Sequence, residues 1–216
     1  IIFAKTTIMP LIKSISGIRG TIGELEGEDL TSKDIIKYTS AFITILQKNN
    51  KIKNRKIVVG RDARISGPMV EKIVIDTLIN FGLDVICLGL STTPTVEIAV
   101  TEEKADGGII ITASHNPINW NALKLLNEKG EFINANEGKE LIKVSESQEF
   151  IKFEEKNGNI FFKNDYISIH IDKILKLNCV DVDLIRKKQF KIVVDAVNST
   201  GGIAIPMLLE LSLIHI

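Results

Sequence analysis

Cysteine is scarce in this chain: its 216 residues include only Cys87 and Cys179, one inside an apolar run and one beside such a run. Two thiols cannot staple a disulfide scaffold and suit a reducing compartment, so a cytoplasmic location is the expectation. Net charge is missing as well. Lysine plus arginine and aspartate plus glutamate number 27 each, leaving a formal net charge of zero. No global field favours nucleic acid or an anionic membrane, neither is an expected partner, and any anion site has to be local. No apolar segment approaches the roughly 18 to 20 residues that cross a bilayer. The opening IIFAKTTIMPLIK is too short and interrupted for a secretory signal. Met9 is a candidate start, which would make the first eight residues an extension. Repeats of roughly 20 to 50 residues and low-complexity tracts are not visible either.

What is present is a 44% hydrophobic, ordinarily charged sequence able to fill a core. Between Thr31 and Lys48 the apolar residues Ile35, Ile36, Phe42, Ile43 and Leu46, with Thr39, fall on one helical face behind Thr31 or Ser32 as N-cap. KIVVG at 56–60 reads as a buried strand. Ser66-Gly67-Pro68 then opens a helix whose Met69, Val70, Ile73, Val74 and Leu78 share a face until Gly82. DVICLG at 84–89 is the next strand. A helix through TVEIAVTEEK follows, capped by STT, and an Asp106-Gly107-Gly108 turn leads into IIIT. Strands alternating with helices, each strand a continuous apolar run, predict an α/β fold: a mainly parallel mixed sheet sandwiched between helices.

NALKLL and GEFI flanking Asn127-Glu128-Lys129-Gly130 read as a hairpin, followed by a helix over 136–147. The first domain is expected over 9–150, and the polar, turn-rich segment 151–165 as a linker. A helix around DYISIHIDKILKL, a strand FKIVVD at 190–195, the turn AVNSTGG and a helix through IAIPMLLELSL follow. Residues 166–216 are thus expected to begin a second α/β domain.

In open α/β sheets ligands collect at the carboxyl ends of strands, where GGIIITASHNPINWNALKLL places Ser114, His115 and Asn116. Ser114 could be an ordinary turn residue. As a nucleophile it is not of the esterase kind, because TASHN lacks the G-x-S-x-G elbow. Phosphoryl transfer asks mainly for positioned cations, a metal and a group that handles the hydroxyl proton. Lys124 fits either a solvated face of a hairpin strand or, shielded in a cleft, an acid/base role. SISGIRGTIG spaces Gly17, Gly20 and Gly23 around Arg19 as G-x-x-G-x-x-G, not the dinucleotide spacing, yet its amides and arginine could hold a phosphate. Arg61, Asp62 and Arg64 in VGRDARISG read as an internal salt-bridge network that fixes their loop. Asp181 and Asp183 are too sparse for a metal site, His170 and His215 read as structural or incidental, and the Asn198-Ser199-Thr200 sequon has no secretory context.

Taken together, SGIRG, VGRDARISG, TPTV, GGIIITASHNPINWNALKLL and VVDAVNSTGG stand in an order and spacing that resembles the α-D-phosphohexomutase family, over roughly residues 11 to 210. The resemblance implies the first domain of a multi-domain enzyme plus the start of a second, similar one. It implies that Ser114 carries a phosphate, passed to and from a hexose phosphate through a bisphosphorylated sugar, and that this phosphate is also a ligand of an essential Mg2+. It places Arg19, His115, Asn116 and Lys124 at active-site positions, Lys124 as general acid/base and Arg19 and Asn116 toward substrate or phosphate. A phosphoserine carries roughly −1.5 to −2 charges and needs cations around it. Phosphoglucosamine is the first expected substrate, with phosphoglucose or phosphomannose next; a non-catalytic phosphosugar-binding relative is the rival from another class. Two departures stand out, Ala122 and Ser199, each where the family more often has glycine. The family's aspartate-rich metal loop and sugar-selecting loops would lie beyond Ile216, so the chain alone is expected to show no turnover.

Overall fold

The computed structural model describes residues 11–14, 17–153 and 157–212. Seven strands form one sheet: β1 (Ile12–Ser14), β2 (Gly17–Thr21), β3 (Lys56–Arg61), β4 (Asp84–Leu90), β5 (Gly107–Ile111), β6 (Trp120–Leu126) and β7 (Ile160–Phe162). Their spatial order is β1-β2-β6-β5-β3-β4-β7. The half from β5 through β3 and β4 to β7 is parallel, and the half from β1 through β2 and β6 to β5 is antiparallel. Helices α1 (Ser32–Lys48), α2 (Gly67–Asn80), α3 (Thr93–Glu102) and α4 (Ala135–Ser147) cover it, followed by α5 (Tyr166–Leu175), α6 (Val182–Lys188) and α7 (Gly201–Ser212).

The continuous apolar strands have two buried faces to fill. Ile57, Val59, Val85, Cys87, Ile109 and Ile111 pack with residues of α1, α2 and α4 on one side. Val58, Ile86, Leu88 and Ile110 pack with Val96, Ala99 and Val100 of α3 and Tyr166 of α5 on the other. Alternate residues of each strand thus serve opposite cores, as period-2 geometry requires. Inside the first core, burial pushes the Cys87 thiol up to about 11, with nearby Glu71 adding to the effect, which leaves it inert at neutral pH.

Helix starts follow local chemistry. Thr31 caps α1 in a reciprocal box with Asp34, and Thr92 caps α3 by accepting from the Thr95 amide. Of the apolar residues expected inside, Ile36 and Met69 are exposed; the rest of the predicted α1 face is buried and is joined by Tyr38, Ala41 and Ile45, and Val70, Val74 and Leu78 of α2 are buried as expected.

The structure departs from the expected elements at several further places. Around SGIRG, where no element was predicted, Gly17–Thr21 is a strand, hairpinned to β1 and paired with β6. Gly107 and Gly108 lie within β5 rather than in a turn, where a Cβ on Gly108 would stand 2.7 Å from a methyl of Val100. The expected 127–130 hairpin is reduced to one bridge between Leu126 and Phe132, because β6 pairs with β5 and β2 instead. In the presumed linker, Ile160–Phe162 joins the sheet edge beside β4. Beyond it, FKIVVD at 190–195 forms no strand; Val193 is 99% exposed, and no described strand borders the segment to complete its hydrogen bonds. Asp181, set aside as a metal ligand, caps α6 by accepting from the Leu184 amide.

Gly17 is the residue that fits β2 beside β6. Its φ is +134°, and a Cβ there would lie 2.0 Å from the Leu123 carbonyl oxygen. We expect Gly17→Ala to lower unfolding free energy by roughly 3 kcal/mol or more, read from the denaturant midpoint; a loss of less than about 1 kcal/mol would show that this pairing yields easily.

Candidate active site

Because β3 and β5 are parallel and in register at Arg61 and Ile111, the turns that leave them sit side by side at one end of the sheet. The first turn carries Asp62 and Arg64 into α2; the second carries Ser114, His115 and Asn116 back into β6. β2 then lays Gly17 opposite Lys124 and Arg19 opposite Ala122 across an antiparallel ladder, so all four share one sheet face. Residues from three separate stretches of sequence meet here. The serine turn and the facing parts of β2 and β6 line a cleft of about 290 Å³ together with Ser14, Thr112, Ala113 and Leu123, while Asp62 and Arg64 stand behind it.

Among the described residues, the lining contains Arg19, His115 and Lys124 but no carboxylate. In a chain of zero net charge this is a local concentration of cationic and hydrogen-bonding groups. Arg19 adds a sharper feature: its Nε is buried without a hydrogen-bond partner. A guanidinium N–H kept dry and unpaired is costly, and an anion in the cleft would satisfy it. Lys124 is half-buried on β6, an interior strand, where it lines the cleft; its Nζ lies 5.8 Å from the centre of the Phe132 ring. Gly17 opposite it contributes no side chain, leaving room beside the ammonium.

Ser114 stands exposed at the tip of its turn with φ +53°. For a residue with a Cβ, the left-handed region costs roughly 1–2 kcal/mol, so neighbouring contacts must hold it there. The Ser114 amide donates to Thr112 Oγ1 at 3.0 Å, and that hydroxyl donates to Asp62 Oδ2 at 2.6 Å. Arg64 Nε donates to the same carboxylate at 3.2 Å. Its Nη2 donates to the carbonyls of Ser114 (2.7 Å) and Asn116 (2.8 Å), and its Nη1 to those of Pro117 (2.7 Å) and Trp120 (3.0 Å).

The structure therefore brings together Ser114, His115, Asn116, Lys124 and Arg19, with Gly17, whereas Gly20 and Gly23 do not line the cleft. Asn116 has a further task, since its Nδ2 donates to the Ala113 carbonyl and tightens the turn. The salt-bridge reading of VGRDARISG holds locally, with Arg61 on Glu71 and Arg64 on Asp62. Sequence gave no sign that Arg64 reaches the serine loop, or that Ser14 lines the cleft with its hydroxyl on the Gly17 carbonyl. Ala122, where glycine was expected, sits in regular strand without positive φ, and Ser199 uses its side chain to accept from the Ala63 amide at 3.4 Å.

Fold and cleft define a covered α/β domain with a cationic, hydrogen-bonding pocket at the carboxyl ends of its parallel strands. The particular kind follows from comparison with known proteins. Residues 12–152 match the model for phosphoglucomutase/phosphomannomutase, alpha/beta/alpha domain I, and the chain belongs to that family. It is 34% identical over 194 residues to a phosphoglucomutase/phosphomannomutase of Thermococcus kodakarensis, covering 90% of this chain and 41% of that protein. It is 32% identical to a phosphoglucosamine/phosphogalactosamine mutase of Sulfurisphaera tokodaii, covering 88% and 40%. The chain thus spans about two fifths of the length of these curated relatives. Among solved structures, a phosphoglucomutase/phosphomannomutase family protein of Burkholderia thailandensis superposes with a TM-score of 0.73 at 24% identity, over 95% of this chain and 42% of that one, a likeness of fold.

Proposed function

We propose that this chain is the N-terminal portion of a phosphohexose mutase, in which Ser114 carries the phosphate that is exchanged with a hexose phosphate. The convergence of Ser114, Arg19 and Lys124 in one carboxylate-free cleft supports the reading most directly. In the forward half-reaction the P–Oγ bond to Ser114 breaks as a bond forms from phosphorus to a sugar hydroxyl oxygen. The hydroxyl proton ends on Ser114 Oγ, with Lys124 as its carrier. The return half-reaction uses the other phosphate of the bisphosphorylated sugar and restores the phosphoserine. Arg19, with its unpaired Nε, would hold phosphate oxygens, and His115 and Asn116 would border the carrier.

Magnesium does not fit this chain alone. No group of three or more His, Cys, Asp or Glu side chains among the described residues could hold a metal ion. A phosphate on Ser114 would supply one ligand, and the others would have to come from outside these residues. We take the enzyme to act in the cytoplasm; no helix of the described residues is long and apolar enough to cross a membrane.

For the sugar, we propose glucosamine phosphate, in keeping with the name of one of the relatives above. Assay of the full-length enzyme should give a kcat/KM for glucosamine 6-phosphate at least about tenfold above those for glucose 6-phosphate and mannose 6-phosphate, a difference of about 1.4 kcal/mol in transition-state binding. A preference for either neutral sugar would assign the alternative substrate, and no interconversion of any of the three would identify a non-catalytic relative.

A further inference from the structure

We propose that Arg64 is a positioning residue that fixes the conformation of the phosphate-carrying loop from outside the cleft; the inference rests on the reading of Ser114 given above. Arg64 does not line the cleft. Its guanidinium is nearly buried, with the side chain 10% exposed, and its Nε and both terminal nitrogens are engaged. Four of the bonds run to backbone carbonyls spread along a single loop, at Ser114, Asn116, Pro117 and Trp120. The five fixed donors of a guanidinium can serve four carbonyls and a carboxylate at once, whereas an ammonium has only three.

The loop needs such a clamp for two reasons. Ser114 sits at positive φ, a conformation it would leave if its surroundings did not over-determine it. The carbonyls of Ser114 and Asn116 have no sheet or helix partner, so without Arg64 they would turn to water and carry the loop with them, while that of Pro117 also accepts from the Trp120 amide at 3.0 Å. The Asp62 carboxylate couples the clamp to the reacting residue by a second route, through the Thr112 hydroxyl to the Ser114 amide. Arg64 itself is held by the turn into α2, where the Gly67 amide donates to its carbonyl at 2.8 Å and Asp62 Oδ1 accepts from its amide at 3.0 Å. Because every arm of the guanidinium is already occupied by the backbone and Asp62, it is not free to follow the phosphate. Its effect on transfer is to hold Ser114 Oγ at a constant place in the cleft that Arg19 and Lys124 also line.

Arg64→Lys in the full-length enzyme tests this. The lysine keeps the charge and can reach Asp62 but loses the fork. We expect kcat to fall roughly 10- to 100-fold, as a misplaced reacting group does, with KM changed less than about threefold. Amide hydrogen exchange across 112–120 should speed up at least about tenfold while exchange in α1 and β3 is unchanged. Where Arg64→Lys fails to fold, Thr112→Val, which cuts only the link from Asp62 to the Ser114 amide, should show the same pattern at smaller amplitude. Unchanged kcat together with unchanged loop exchange would overturn the inference, and so would a loss confined to KM. The two readings fail separately: a fully active Ser114→Ala enzyme removes the phosphate-carrier assignment, whereas an inactive Ser114→Ala beside a normal Arg64→Lys removes only the role of Arg64.

Discussion

Ser114→Ala should lower mutase activity of the full-length enzyme on the order of 10⁴-fold or more, the scale seen when a covalent nucleophile is removed from an otherwise intact site. The fold should survive. Ser114 is exposed and its side chain packs against no core cluster; the bonds that shape its turn use the backbone amide and carbonyl, which alanine retains. A thermal midpoint within a few degrees of the parent would therefore accompany the loss. The left-handed backbone at +53° gives an internal control. Ser114→Gly is equally unable to accept phosphate, but it relieves the Cβ penalty and should be more stable than Ser114→Ala by roughly 1 kcal/mol. Two variants equal in inactivity and ordered in stability would separate the chemistry of the hydroxyl from the geometry of the loop.

Lys124→Met should reduce kcat by roughly 10² to 10⁴, the range spanned by a positioned acid/base. Methionine preserves most of the apolar stem beside Phe132 and the pairing of β6 with β2 and β5, so a folding defect is not expected. Lys124→Arg should not rescue it. The guanidinium keeps the charge but cannot give up its proton, so arginine restores phosphate attraction and leaves the proton without a carrier. If arginine recovered most of the activity, Lys124 would be an electrostatic residue only. The steady-state assay separates the cases, because a purely binding role would appear chiefly in KM.

Much of this arrangement could be read from sequence, for identifiable reasons. α1 was legible from its cap and periodic face, and β3, β4 and β5 from unbroken apolar runs, because a strand buried on both sides leaves that signature. The cluster of Ser114, His115 and Asn116 was legible as a turn at a strand end. β2 was not, since glycines at 17 and 20 mask strand character, and what makes Gly17 fit is a partner more than a hundred residues later in the chain. The apolar run at 190–195 misled in the opposite direction: its residues favour a strand, but a strand needs neighbours, and no described strand borders it. The reach of Arg64 was hidden most completely. Its targets are carbonyl oxygens, which every residue possesses, so no side chain in the loop announces the contact.

The central claim is that Ser114 Oγ carries the phosphate. Its most direct measurement is peptide mapping by mass spectrometry of the full-length enzyme after incubation with a hexose 1,6-bisphosphate and removal of free sugar. The account predicts a single phosphoryl group on the peptide containing Ser114, lost on exposure to hexose monophosphate and absent from Ser114→Ala. Phosphate on another residue, or an unmodified Ser114 peptide in an enzyme that turns over, would contradict it.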